Sequence, residues 1–511
     1  MKHLVSIVLL VLFVALSANA QIVSASSGNW SAGATWVGGN VPGPSSNVIV
    51  DTSHTVTIDI PNAECNDLTA KGYVFFNQVT SNNGLTVYGN VLVDSTGRLR
   101  SGAATPTGVV TQHLFLHKNL TVIPGGSFDM RIGSGSNVSV GRVIFTGSSN
   151  TEIRMGRSTY GSSVEEFNTV IIQKSAGAKV IVAAGNVYQN NNSSTAMDTL
   201  VLVSGIIETQ GGSSWNHLGT SSSHVQGASA ASYINGMHGR GLSNTSGSTN
   251  INRVFEVGDS NGYRKITLRC QAPTLVTGAY VSVQTIAGNA NTGSSALSGG
   301  IDKVSAVRYY KITYFPFTSA TTTMPIDLFV PEYQAEDGIG AGNTDLRVAY
   351  STDGRATWIG MAQTVPDTTF ETDSAIRPDS LASGSWVQIT GTSEVFVALA
   401  RATGTTTNTL EYTATGIEEG NGVPASFMLG QNYPNPFNPA TSIRFGLDKP
   451  GFTAVRVYDM LGRLVTTLAE GMMAPGFHTV TWNADGASSG LYFYTLQSGE
   501  KMQTRKMLLM K

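Results

Sequence analysis

The sequence predicts an all-β protein: a right-handed parallel β-helix-like solenoid, then a β-sandwich, then a small immunoglobulin-like domain at the C-terminus. Three observations predict it. Charged residues are only 13% of the 511 residues, while Gly contributes 57; an ordinary soluble domain has about 25% charged residues, so the faces here must be polar but uncharged. Short apolar runs alternate with period two and stop at Gly or Asn, as strands closed by turns do. A helical apolar period is almost missing, and strands recur at a loose spacing of roughly 10 to 30 residues, which favours a solenoid for the first half. The length exceeds one ordinary core, so about three domains are expected.

Residues 1–20 read as an export signal. Lys2 and His3 open it, Leu4 to Leu16 is apolar apart from Ser6, and Ala18-Asn-Ala20 supplies a small-residue cleavage site before Gln21. An apolar core of about 13 residues is too short to span a bilayer as a helix. The expected partner at this stage is the Sec export machinery.

Residues 21–245 are the expected solenoid. Its strands include Asn47-Val-Ile-Val, Thr55-Val-Thr-Ile, Leu85-Thr-Val-Tyr, Leu120-Thr-Val-Ile, Val138-Ser-Val-Gly-Arg-Val-Ile-Phe, Thr169-Val-Ile-Ile and Thr199-Leu-Val-Leu-Val. Inward Val, Ile, Leu and Phe would stack from coil to coil. The opening Gly28-Asn-Trp-Ser-Ala-Gly-Ala-Thr-Trp-Val-Gly-Gly-Asn-Val-Pro-Gly-Pro, followed by Asn47-Val-Ile-Val and His54-Thr-Val-Thr-Ile, resembles the start of secreted bacterial β-helix surface proteins. That resemblance implies that Trp30 and Trp36 cap the first coil. The other reading is a sugar-stacking platform made by the same two rings.

Residues 246–403 carry longer, more separated strands, such as Val307-Arg-Tyr-Tyr-Lys-Ile-Thr-Tyr and Glu394-Val-Phe-Val-Ala-Leu-Ala. About eight of them suit a two-sheet sandwich. Residues 404–425 are rich in Gly, Thr and Asn and read as a linker.

Residues 426–511 carry the most specific pattern. Asn432-Tyr433-Pro434-Asn435-Pro436-Phe437 opens it, Val455-Arg-Val-Tyr-Asp-Met-Leu-Gly462 follows, and then come Gly476-Phe-His-Thr-Val-Thr-Trp, Gly490-Leu-Tyr492-Phe-Tyr and Thr504-Arg-Lys506-Met-Leu-Leu-Met-Lys511. The prolines stiffen an entry turn that cannot join a central strand. Alternation at Val455 and Val457, Val480 and Trp482, and Leu491 and Phe493 suits a small immunoglobulin-like sandwich. These blocks, in this order, resemble the type A C-terminal sorting domain of type IX secretion cargo. The resemblance implies a Gram-negative source, recognition of the final strand with Lys506 and Lys511 by the outer-membrane translocon, and removal by its sortase. The product would be extracellular or anchored to the outer-membrane surface.

Chemistry is thinly marked. Carboxylates and cations that a β-helix could gather for glycoside cleavage are Asp94 with Arg98 and Arg100, Asp129 with Arg131, and Glu165 beside Glu166. Adjacent strand residues point to opposite faces, so Glu165 and Glu166 would not share a substrate, and turn or surface roles explain the rest. His113 and His117 lack a third ligand for a metal. Glu332, Asp337, Asn343 and Asp345 place hard oxygens in a Gly-rich loop, a weak calcium arrangement whose plain alternative is an acidic surface loop. Cys65 and Cys270 read as small buried residues, with pairing left open. No cofactor is expected. A formal net charge of −2 and scattered Lys and Arg give no footprint for nucleic acid. The expected function is a non-catalytic adhesion, polymer-binding or scaffolding protein whose partner is an extracellular polysaccharide or cell-surface glycan. The alternatives are a β-helix lyase or glycosidase and a purely structural stalk or sheath.

Overall fold

A computed structural model describes residues 21–76, 82–101, 110–130, 139–156, 166–189, 199–218, 225–242, 250–271, 279–316, 323–334, 337–339, 345–361, 364–366, 376–378, 386–411 and 427–510, less single positions or pairs inside some of these ranges. The expected export signal, with Ala18 and Ala20, lies outside the described residues, and so do positions 407 and 412–425 of the expected linker, whereas Asn408 and Leu410 at its start are buried, Leu410 in the sandwich core. Contacts divide the chain into two units, Met1–Gln334 with Ile339–Leu410, and Ala335–Gly338 with Glu411–Lys511.

The first unit begins as a β-solenoid of about seven turns. Each turn takes one strand from each of three parallel sheets, for example Asn47–Val50, Thr55–Ile58 and Ala63–Cys65. The next turn is Leu68–Ala70, Tyr73–Phe76 and Gly84–Val87, paired in register with the first. The alternation read from the sequence is the burial pattern itself. Val48, Val50, Val56, Ile58, Leu68, Val74, Phe76, Leu85 and Val87 point inward and are 0–1% exposed. The residues between them face out, because successive strand residues alternate sides.

Asn or Gly makes several of the described corners. Asn66, Asn90, Asn119 and Asn150 stand just before successive first-sheet strands. Asn119 Oδ1 accepts the Glu152 N–H at 2.8 Å, and Asn150 Oδ1 accepts that of Lys179 at 2.9 Å. Each amide thus satisfies an N–H at the start of the following coil's first-sheet strand. Gly72 and Gly97 precede successive second-sheet strands. A Cβ there would lie 2.0 Å from Asp51 O and 1.8 Å from Ala70 O, so the coils close only over glycine. Lys174 is 1% exposed, and its ammonium donates to Thr146 O and to Thr151 Oγ1 at 2.9 Å. Burial pulls its pKa down to about 8.

Trp30 and Trp36 are 0% and 2% exposed, their rings meet edge to face at 5.1 Å, and Trp36 Nε1 donates to Trp30 O at 2.8 Å. Both belong to the solenoid core. The structure therefore supports the cap over the sugar platform, since buried rings offer no stacking face.

Parallel first-sheet pairing runs on past residue 245, to Val257–Asp259. In the second sheet, Met237–Gly241 pairs in parallel with Ser214–His217 and antiparallel with Tyr280–Ala287. That sheet continues through Arg308–Phe315, Glu394–Ala402 and Leu346–Ser351. A four-stranded antiparallel sheet, containing Asn250–Phe255, Ile266–Gln271, Thr323–Pro331 and Val387–Thr390, shares a core with it through Phe255, Leu268, Val281, Tyr310, Ile326 and Val397. Solenoid and sandwich thus share a sheet. Where they meet, His238 and Arg240 are 0% exposed, and Arg308 pairs with Asp259 at 3.2 Å.

The second unit holds two antiparallel sheets around one core. Met428–Leu429, Ala440–Leu447 and Gly476–Asn483 form one; Leu464–Met473, Gly451–Tyr458, Gly490–Ser498 and Lys501–Leu509 form the other. Leu429, Ile443 and Phe445 meet Val455, Val457, Tyr494, Leu496, Met507 and Leu509 between them.

Candidate functional sites

The C-terminal motif residues build one structure from the two ends of their domain. Asn432 is 2% exposed; its N–H donates to the Tyr494 hydroxyl at 2.8 Å and its Nδ2 to Thr441 Oγ1 at 3.0 Å. Tyr494 in turn donates to Gly430 O at 2.7 Å, and burial raises its pKa. Asn435 Oδ1 accepts the Leu508 N–H at 2.9 Å. Phe437 makes a short parallel bridge beside the last strand, its N–H donating to Leu508 O at 3.0 Å and its O accepting from Met510 at 2.9 Å. Its ring stands 5.5 Å from Trp482, which meets Tyr492 edge to face at 5.1 Å. Further up the same edge, Leu429 N–H donates to Gln503 Oε1 at 2.6 Å and Arg505 Nε to Leu429 O at 2.6 Å. An edge strand left open would invite pairing with another chain; this one is covered from within.

Gly462 has φ +76 in the turn joining Gly451–Tyr458 to Leu464–Met473, and Gly490 starts its strand. Lys506 is exposed on the last strand opposite Phe493, while Met507 and Leu509 anchor that strand at 1% and 0% exposure. Tyr433, Pro434, Pro436 and Lys511 lie outside the described residues.

In the solenoid, the sequence candidates separate. Asp94 is a turn residue whose Oδ1 accepts the Ser95 N–H at 2.6 Å. Asp129 lies on the outer face of the second sheet, one coil from Arg100, and the two pair at 2.9 Å. The next coil places Glu166 as the backbone partner of Asp129. Arg131 and Glu165 are outside the described residues. His113 lies on the third-sheet strand Val110–Leu116, stacked with Phe115 at 5.9 Å, and His117 follows the strand's end, against Tyr88 at 4.9 Å. Burial lowers both histidine pKa values, helped by Arg142 at His113 and Lys174 at His117.

Among the described residues no group of three or more His, Cys, Asp or Glu could hold a metal. Asp345 is 4% exposed and accepts from Asn408, whose N–H is 3.3 Å away; Lys265 N–H approaches Glu332 Oε2 at 3.4 Å. Asp337 is buried, and Asn343 lies outside the described residues. Cys65 and Cys270 are both free and buried, the first in the solenoid core and the second in the sandwich core. Burial raises both thiols, that of Cys270 to about 12, so neither is a ready nucleophile.

One arrangement escaped the sequence reading. Tyr73 and Phe75 face outward on the second sheet, half-buried, with ring centroids 5.8 Å apart. The exposed Arg98 guanidinium of the next coil stands 4.9 Å from the Tyr73 centroid. The signal was present in Tyr73-Val-Phe-Phe, where alternation sends Val74 and Phe76 inward and leaves two rings outside.

Residues 431–510 match the family model described as the secretion system C-terminal sorting domain. No curated protein matches the chain. Among solved structures it is similar to dimeric latent PorU from Porphyromonas gingivalis, at 15% identity and a TM-score of 0.15, over 48% of this chain and 24% of that one. The chain thus spans about a quarter of that relative's length, and a likeness this slight carries no argument.

Proposed function

We infer, from the premise that this chain carries a secretion-system C-terminal sorting domain and is type IX secretion cargo, that it is a non-catalytic surface or extracellular protein whose solenoid binds polymer. The observation that carries the export half is the sorting domain at 431–510, with its last strand sealed to the 427–437 segment. The polymer-binding half is supported by the outer face of the stacked coils, which carries the Thr55 and Thr57 hydroxyls beside outward rings at Tyr73 and Phe75. Entry to the periplasm would use the Sec machinery, with cleavage before Gln21. The outer-membrane translocon would read the final strand, and its sortase would release or attach the passenger.

A second reading, a glycosidase or lyase, has one observation in its favour. Asp129 and Glu166 are backbone register partners on adjacent coils, and the strands of adjacent coils stand about 4.8 Å apart. Against it, Asp129 is already held by Arg100.

Two measurements test the proposal in a Gram-negative host with a type IX pathway. The full chain should reach the surface with Gln21 as its first residue, while a chain cut before Lys501 should accumulate in the periplasm. Surface delivery of the truncated chain would sink the export assignment. Incubation of the full chain with a panel of polysaccharides should release no oligosaccharides; release abolished by Asp129→Asn would replace the non-catalytic reading with the glycosidase.

A further inference from the structure

We propose that the outer face of the solenoid's second sheet, centred on Tyr73, Phe75 and Arg98, binds an acidic polysaccharide lying along the solenoid axis, across the strands. This names the ligand class and the site of the polymer-binding reading and rests on it.

Register supplies the track. Thr55, Tyr73, Arg98 and Ser127 are successive backbone partners, and so are Thr57, Phe75, Arg100 and Asp129. Paired residues of a parallel sheet share a face, and strands stand about 4.8 Å apart. Two parallel rows of side chains therefore advance by one coil at a time, a step close to one sugar of an extended chain. The rows pass from hydroxyls to rings to guanidinium groups. Val74, Phe76, Leu99 and Phe128 fill the core beneath at 0–1% exposure, so the coil needs neither Tyr73 nor Phe75 for its interior. Half-exposed rings on a flat polar face are suited to the apolar faces of sugar rings.

Charge selects among sugars. Arg100 is neutralised by Asp129 at 2.9 Å. Arg98 is exposed, and among the described residues no carboxylate pairs with it. Its guanidinium, 4.9 Å from the Tyr73 centroid, is steadied by the ring while its N–H fork stays open to solvent. A planar fork of that kind matches a carboxylate with two hydrogen bonds. A uronate whose ring rests near Tyr73 or Phe75 would place its carboxylate within reach of Arg98.

The test uses the full chain with polygalacturonate and with its methyl-esterified form, which keeps the sugars and removes the charge. We expect polygalacturonate to bind with a salt-sensitive Kd, and Arg98→Glu, Phe75→Ala and esterification each to weaken binding about tenfold, the loss of one charge-assisted or stacking contact. Arg98→Lys should fall between, because the charge survives and the fork does not. Arg98 is exposed, so Arg98→Glu should leave the unfolding midpoint unchanged and remains informative if Phe75→Ala fails to fold. Equal binding of both polymers would overturn the acidic assignment and leave polymer binding standing. Binding of polygalacturonate indifferent to Arg98→Glu would place the polymer elsewhere on the chain. Binding of no polysaccharide in the panel would remove the polymer-binding reading together with this site.

Discussion

The solenoid and the sorting domain use the same alternating strands but hold them by different bonds along the chain. Each solenoid strand pairs with the coil before and the coil after, as Val48 pairs with Leu68 and Leu68 with Val91. The sorting domain is closed by its ends: Leu429 with Gln503, Asn435 with Leu508, Phe437 with Met510. The difference teaches where each is vulnerable. A solenoid fault is bounded by neighbouring coils, since stability there is close to a sum of repeat and interface terms. The sorting domain has no such partition, and losing its final residues opens the edge beside the Asn432–Phe437 motif.

The largest break of this comparison should come from Leu509→Ala. Its side chain is fully buried between the two sheets, and truncating a buried Leu costs about 2–5 kcal/mol. Calorimetry should show the transition of residues 427–511 shifted down or lost, with the solenoid transition unmoved and surface delivery reduced. A common shift of both transitions would refute the independence of the two regions.

A smaller effect, confined to the other region, is expected from Gly97→Ala. The added Cβ would stand 1.8 Å from Ala70 O, and forcing adjacent coils apart costs about 1–3 kcal/mol. Hydrogen exchange should rise at residues 68–130 and stay unchanged beyond residue 427. Uniform loss of protection along the solenoid would mean that the coils act as one cooperative block.

Acid should sharpen the contrast most gently. His238 is fully buried where solenoid meets sandwich, in register with Trp215 and Val283 and edge-on to Phe255 at 5.7 Å. Burial, then Arg240 and His217, hold its pKa well below the ordinary 6.5. The unfolded chain therefore takes up a proton where the folded chain does not, so stability is intact above about pH 6.5 and declines as pH falls below it. His113 and His117 add in the same direction. In the sorting domain Asp448 is shifted downward from 3.8 by its hydrogen bond to Lys501, so that contribution is lost only at far lower pH. Melting at pH 7.5 and pH 5 should lower the first transition and spare the second. Replacing His238 by Phe should flatten the response, and an unchanged pH dependence in that variant would exclude this histidine as its source.

Much of the architecture was legible. Inward and outward residues follow from alternation at Asn47–Val50 or Thr55–Ile58, because a half-buried strand leaves no other choice of face. Several corners followed from Asn and Gly, and the cap at Trp30 and Trp36 from the resemblance of that segment to the start of secreted β-helix proteins. The sorting motif was legible as a pattern, but not its reason, since nothing in Asn435 or Phe437 says that their partners are Leu508 and Met510. Tyr73 and Phe75 carry no mark of their own in the sequence, because outward placement matters only once Arg98 is known to lie one coil away.

Sequence by itself determined the all-β class, the alternation and the turn positions, which are set by residues within a few positions of one another, and the sorting domain, which is carried by the order of its motif blocks over residues 432–511. Tertiary structure alone decided which residues stand beside which. It put Asp94 in a turn, set the Asp129 backbone beside those of Arg100 and Glu166, and carried one sheet from the solenoid into the sandwich. The reason is physical: period-two patterning specifies the face on which a side chain lies, whereas the neighbour on that face depends on coil length and register, and those are settled by the packing of every coil on the next.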